Sequence, residues 1–448
     1  MYDHIGPSLN GQETRITPYA VDLKSEKGSE RSRDRAGVEA AEIGVCLASF
    51  NFYPIYAGPP LRFQMYAPGL AKRGVRVHVF TQAINEELVK RDGDISRKHF
   101  SPGGVPLYEV IDGLPVHRVR IPSGWRHEPA FFRRLARHCR GRKTDTSVVQ
   151  FLNAGVWAIP WLLKIRRMGF GMVFTHTLLG ELAAGRLKRL LQRFRWRTPL
   201  NLFDFVVVSS KAMRRQLEEI GVSAPIVIIP NGVNLARFSP PDLAARTNLR
   251  EKLGLPCDKR LILSVGPIIP RKGTDVLVTA FASVASRYPD TQLALVGPRH
   301  DLVRPELCEF SERIQAVLRD NQIQNRVTFT GAVSNVEDYL RCADIMVFAS
   351  RREGMPNVVP EAMACALPVI MTPFVGLPSE FGRAGKEYVL TGWHPEQMAA
   401  DLSGLLSDQR RSKKIGTWGR NWVEQHLDVE DSLDSYAELY SRASARRA

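Results

Sequence analysis

Two glutamates, Glu353 and Glu361, stand with seven residues between them in the stretch 350–370, SRREGMPNVVPEAMACALPVI. The pattern predicts a strand over 345–348, a loop, a helix from near Pro360 and a further strand starting at 368–370. Pro360 suits a first helical turn, where its missing N–H needs no partner. The loop before it offers free backbone N–H groups, which favour anionic oxygens. A carboxylate at each end can accept from hydroxyls. Phosphate donors beside hydroxyl acceptors suit a nucleotide sugar. Taken singly, Glu361 is favourable in a first helical turn by about 0.3–1 kcal/mol, and Glu353 reads as a solvated loop charge. The whole string, not either residue, carries the functional reading.

A second group lies upstream. Arg271-Lys272-Gly273 follows a predicted strand end and precedes a helix, so Lys272 can reach phosphates lodged at that junction. A cation just before a helix is also common without any ligand. His176, in VFTHT, ends another strand, where a lone histidine is often structural. The turns Gly297-Pro298-Arg299 and Gly331-Ala332-Val333 end strands as well.

The elements that must position these residues form two alternating series. In the first, apolar runs predict strands over 43–49, 75–81, 115–121, 148–152, 172–176, 205–209 and 226–229. Helices are expected from the loop at 50–60 to about Arg73, and over 131–143, 157–168 and 211–220. Residues 85–114 read as a polar excursion. Pro230-Asn231-Gly232-Val233-Asn234 marks a linker by its turn chemistry. In the second series, strands are expected over 261–265, 292–296, 327–329, 345–348 and 369–371, with helices over 274–287, 305–320, 335–342 and 360–365. Two doubly wound parallel sheets in series place a cleft at the carboxyl ends of both. Residues 1–42 are polar, charged and without periodicity, and are expected to be a disordered or loosely attached tail. The expected domains span 43–230 and 231–428, with a last helix over 430–445.

The string Glu353-Gly354-Met355-Pro356 followed by Glu361-Ala362-Met363-Ala364 resembles the donor-site signature of family-four retaining glycosyltransferases of the GT-B fold. The resemblance spans about residue 43 to the C-terminus. It implies two Rossmann-like domains facing a cleft, with the last helix crossing back to the first domain. It implies that Glu361 holds ribose hydroxyls and that Glu353 holds sugar hydroxyls. Backbone amides of Gly354, Met355, Pro356, Asn357 and Val358 would help, as far as each carries an N–H. Lys272-Gly273 matches the family's phosphate-binding Lys-Gly, with Arg271 as a second cation. His176 matches a histidine that contacts the transferred sugar, Val333 lies where backbone holds the base, and Arg299 is a weaker candidate nearby. Gly58 matches the second of a glycine pair after the first strand. The departures are Ala57 for the first of that pair, Pro267 where the family tends to have Arg, Gln150 for a histidine, and Ala366 for a glycine before Leu-Pro-Val. Pro267 and Ala57 are the features that favour the alternative, an inactive nucleotide-sugar-binding protein of the same fold.

Composition sets outer limits. The 448 residues suffice for two domains with separate cores. The balance of 62 Lys+Arg against 46 Asp+Glu, net +16, implies an anionic partner. Nucleotide phosphates, an acidic membrane surface and nucleic acid all qualify by charge, but no nucleic-acid motif is present, so none is expected. Residues 131–143 and 186–197 are basic without an acid, and Leu187, Leu190, Leu191 and Phe194 recur at helical spacing among the cations of the second. The six cysteines are scattered, without a C-x-x-C pair, and read as reduced thiols. No His/Asp/Glu/Cys cluster suggests a bound metal, and none is expected as a cofactor. No signal peptide and no apolar run of about 20 residues appears. A cytoplasmic protein, peripheral to the inner membrane face, is the expectation. The acceptor would be a glycan or lipid-linked sugar in bacterial polysaccharide or glycolipid assembly.

Overall fold

The computed structural model describes residues 42–53, 58–84, 106–122, 124–177, 186–299 and 305–446. Residues 1–41 of the expected N-terminal tail, and Ala57, lie outside these residues.

The first sheet contains β1 (Ile43–Ser49), β2 (Val75–Gln82), β3 (Tyr108–Ile111), β4 (Leu114–Val119), β5 (Val148–Phe151), β6 (Gly171–Thr175), β7 (Phe205–Val208) and β8 (Ile226–Ile228). Its order is β3-β4-β2-β1-β5-β6-β7-β8, and every pair is parallel except β3–β4. The second sheet contains β9 (Arg260–Val265), β10 (Thr291–Val296), β11 (Val327–Gly331), β12 (Ile345–Phe348), β13 (Val369–Met371) and β14 (Val389–Leu390). Its order is β11-β10-β9-β12-β13-β14, all parallel. Central strands such as β10 are buried on both faces, because helices cover each side of a parallel sheet. Each sheet therefore carries two apolar cores, one per face.

Two differences from the expected elements have local causes. The excursion over 85–114 contains β3, an edge strand joined to β4 by Asp112-Gly113, both with positive φ. Asp-Gly is the favoured pair for a two-residue hairpin turn, and that signal was present in the sequence. Helices Leu243–Lys252, Pro395–Ser407 and Gln409–His426 were not anticipated. Their order comes largely from packing: Leu402, Leu405, Trp422 and Val423 enter the second domain's cores.

The last helix, Val429–Ala445, packs on the first domain. Tyr436 and Tyr440 lie in that core, and the Tyr440 hydroxyl donates to Gln150 Oε1 at 3.2 Å. Gly171 admits it closely, since a Cβ there would meet the Ala443 carbonyl oxygen at 2.4 Å. The two chain crossings between domains lie side by side: Val233 N–H donates to the Leu427 carbonyl at 2.7 Å, and Val429 N–H to the Val233 carbonyl at 3.0 Å.

Candidate active site

In the second sheet, strand order reverses between β9 and β12. Loops leaving their carboxyl ends run to opposite sides and open a crevice there, the usual ligand position in such sheets. The chain after β9 forms a short turn, Pro270–Lys272, then Gly273 at φ +64°, then helix Thr274–Arg287. A Cβ on Gly273 would meet the Ala349 carbonyl oxygen at 2.2 Å. Glycine is thus required twice over, for its conformation and for close approach to the chain after β12. That approach delivers Arg271 and Lys272 to Glu353.

Lys272 Nζ donates to Glu353 Oε1 at 2.7 Å, and Arg271 Nη1 and the Ser350 hydroxyl each donate to the same oxygen at 2.5 Å. The Phe348 ring lies 5.2 Å from the ammonium. Burial alone would raise the Glu353 carboxyl, but Lys272, Ser350 and Arg271 outweigh it and hold it below its ordinary range. Burial lowers Lys272, against the pull of Glu353, with Arg271 adding to the lowering. The two partners thus shift in opposing senses for ion-pair stability. Three donors on one carboxylate oxygen decide for an ionised Glu353.

Glu361 lies in the short helix Val358–Ala364, with Pro360 in its first turn as expected. Among the described residues no hydrogen bond or ion pair reaches its carboxylate. Burial pushes the carboxyl up to about 7, opposed by Arg237 and assisted by Glu337. Those two neighbours pair with each other at 2.9 Å. The helix begins two residues earlier than the pattern suggested, at Val358.

Both domains line one cleft of about 710 Å³, within the range of small-molecule sites. Gly58, Arg62, His176 and Asn231 come from the first domain and its linker, and Gly266, Pro267, Arg271, Lys272, Val333 and Glu353 through Val358 from the second. Glu361 lies three residues behind Val358 and is not itself on this lining. Arg299 is also off it, donating to the Ser311 hydroxyl at 3.1 Å with its guanidinium over Phe329. His176 is buried at the end of β6, its ring edge-on to Trp196 at 5.2 Å between centroids. A Cβ on Gly58 would meet no atom within 4 Å, so the protein itself does not demand glycine there.

Sequence reasoning missed the residues that join the two walls. Asn231 Nδ2 donates to the Met355 carbonyl at 3.1 Å and to Asn357 Oδ1 at 2.8 Å. Its Oδ1 accepts from Nη1 of buried Arg62, whose Nε has no partner among the described residues. In the sequence Asn231 reads only as linker turn chemistry, and Arg62 has no local pattern around it.

Residues 63–237 match the family model "Glycosyltransferase Family 4", and residues 245–422 match "Glycosyl transferases group 1". The chain is 28% identical over 372 residues to a D-inositol 3-phosphate glycosyltransferase of Segniliparus rotundus, covering 78% of this chain and 77% of the relative. It is 31% identical over 258 residues to a GDP-mannose-dependent alpha-(1-6)-phosphatidylinositol monomannoside mannosyltransferase of Mycolicibacterium smegmatis, covering 55% and 64%. In fold it is similar to sucrose-phosphate synthase from Thermosynechococcus elongatus, with a TM-score of 0.69 at 21% identity over 90% of this chain and all of the other. It is likewise similar to Anabaena HepE in complex with UDP, with a TM-score of 0.67 at 17% identity, over 89% of this chain and all of that one. Two parallel-sheet domains, the Lys272–Glu353 junction at the switch point and these matches agree: the chain belongs to the family-four glycosyltransferases of the GT-B fold.

Proposed function

We propose that this glycosyltransferase moves a sugar from a nucleotide-sugar donor to a lipid-linked or glycan acceptor with retention at the anomeric carbon. The observation that carries the reading is the convergence of Arg271 and Lys272 on Glu353 at the mouth of a cleft shared by both domains. In this scheme Glu361, an unpartnered carboxylate, accepts from the ribose hydroxyls. Glu353 accepts from sugar hydroxyls, with the backbone of 354–358 beside it. His176 and Gly58 face the sugar from the opposite wall, and Val333 flanks the base.

As the bond from the anomeric carbon to the diphosphate oxygen breaks, negative charge grows on the diphosphate. Lys272 and Arg271 stabilise that charge, and such stabilisation is often the largest catalytic contribution. The acceptor oxygen forms the new bond on the same face, and its proton passes to the departing phosphate. Charge neutralisation is assigned to these side chains rather than to a divalent ion. The relatives' names make GDP-mannose the first donor to test, with a phosphoinositol or glycolipid acceptor.

An anionic bilayer is the proposed docking surface of the first domain. Helix His127–Gly141 exposes Arg133, Arg137 and Arg140, and helix Arg186–Leu200 exposes Arg193, Phe194, Arg195 and Arg197. Phe194 is 61% exposed, and Trp125 and Trp157, on short turns packed near these helices, are 79% and 66% exposed. Aromatic rings among cations suit a headgroup boundary. The side chains of Leu187, Leu190 and Leu191 lie outside the described residues. Arg142 is committed elsewhere, to Asp145 at 2.8 Å. No helix among the described residues is long and apolar enough to cross a membrane.

Thermal shift against UDP-, GDP- and ADP-sugars, followed by anomeric analysis of the product, tests the catalytic reading. A folded-state ligand at 100 times its dissociation constant adds about 2.7 kcal/mol of stability. Failure of every nucleotide sugar to stabilise the protein, or a product of inverted configuration, would overturn it.

A further inference from the structure

Cys46, His78 and His138 are far apart in sequence and meet in the first domain. The parallel register of β1 and β2 sets Cys46 opposite His78, so both side chains leave the same face of the sheet. Helix His127–Gly141 covers that face and brings His138 down from its last turn. The two Nε2 atoms are 3.2 Å apart, and one ring nitrogen of each histidine and the Cys46 sulfur all lie within 4.8 Å of one another. None of the three lines the donor cleft.

We propose that Cys46, His78 and His138 bind a zinc-class divalent ion, separate from the transfer site. One thiolate and two imidazoles are a borderline-soft donor set, which suits zinc rather than magnesium or calcium. Bonds of about 2.0–2.3 Å to a tetrahedral ion imply ligand atoms roughly 3.3–3.8 Å apart. The imidazole pair is already close to that spacing, and the thiol needs only a modest approach. Without an ion, the two rings share one hydrogen bond. An ion would replace the shared proton and accept both lone pairs.

The surroundings agree. Cys139, also buried on the covering helix, packs in the same core as Cys46 and stays outside the ligand set. His117 is a wall rather than a ligand, because its Nε2 accepts from Arg142 Nη2 at 3.0 Å. Arg142 is paired in turn with Asp145, which moderates its repulsion of a second cation. Binding releases the Cys46 thiol proton to solvent as the sulfur–metal bond forms. The ion would fasten the covering helix to β1 and β2.

The test uses the full chain, purified under reducing conditions, stripped with a chelator and titrated with cobalt(II), then zinc(II). One equivalent of cobalt should bind with thiolate-to-metal charge-transfer absorption and the strong visible bands of a four-coordinate ion, and zinc should displace it. Cys46→Ser should abolish the charge-transfer band. His78→Gln and, on the more accessible helix side, His138→Gln should each weaken binding roughly tenfold or more. Cys257→Ser, which removes an exposed thiol, should change nothing. Cobalt binding without a thiolate band, or equal affinity in a folded His138→Gln protein, would overturn the proposal. So would a Cys46–Cys139 disulfide that leaves no metal bound after its reduction.

Discussion

The ammonium of Lys272 stands 2.7 Å from Glu353 Oε1, so the cation assigned to the diphosphate is held by the carboxylate assigned to the sugar. Each keeps the other charged in a mostly buried position. A donor entering between them replaces one strong partner of each by phosphate and hydroxyl groups. In the proposed scheme the ion pair is thus a placeholder for both ends of the donor.

Lys272→Ala should lower turnover by roughly 100-fold or more, the cost of removing one stabiliser of developing charge. Lys272→Arg should retain part of the rate. Steady-state kinetics at saturating donor gives the answer, and a wild-type rate in the alanine variant would move the phosphate role to Arg271.

Glu361 predicts a pH dependence. Its carboxyl is pushed up to about 7 in the fold, against an ordinary value of 4.5. Between those values the folded state holds the proton and the unfolded state does not. Stability therefore falls as pH rises through this window, by about 2–3 kcal/mol. Glu361→Gln should flatten that profile, as urea unfolding at pH 5 and pH 8 would show. Donor binding to the ionised form should have the opposite trend, tightening from pH 6 to pH 8 in wild type. Calorimetry finding the same trend in Glu361→Gln would assign the titration elsewhere.

Ala366 carries a φ of +57°, a left-handed conformation that costs a residue with a Cβ about 1–2 kcal/mol. Glycine there removes the strain but adds about 0.5–1 kcal/mol of chain entropy to be lost on folding. Ala366→Gly should stabilise the protein by roughly 0.5–1 kcal/mol, read as a rise in the urea midpoint with unchanged slope. A lower midpoint would show that the methyl group is used in packing.

Combined Arg193→Gln, Phe194→Ser and Arg195→Gln should weaken binding to anionic vesicles by roughly 30-fold or more, read by sedimentation, since each cation near such a surface contributes about 1 kcal/mol. Binding should also fall with salt. Equal, negligible binding of wild type to neutral and anionic vesicles at low salt would remove the bilayer from the scheme and favour a soluble acceptor.

What the chain reveals without its fold is what neighbours in sequence encode. Apolar runs such as 43–49 and 345–348 mark buried parallel strands because covered sheets need apolar residues on both faces. Lys272-Gly273 and the Glu353–Glu361 loop are legible because each is one turn at one strand end, with its backbone requirements written in adjacent residues. Even Ala366 is visible as a departure, and its positive φ gives the reason glycine fits there. Only the tertiary structure joins Lys272 to Glu353, because that contact needs β9 beside β12 at a reversal of strand order. Asn231 reaches Met355 and Asn357 only once the two domains face each other. Cys46, His78 and His138 meet through strand register and the docking of one helix, long-range relationships that no spacing along the chain records.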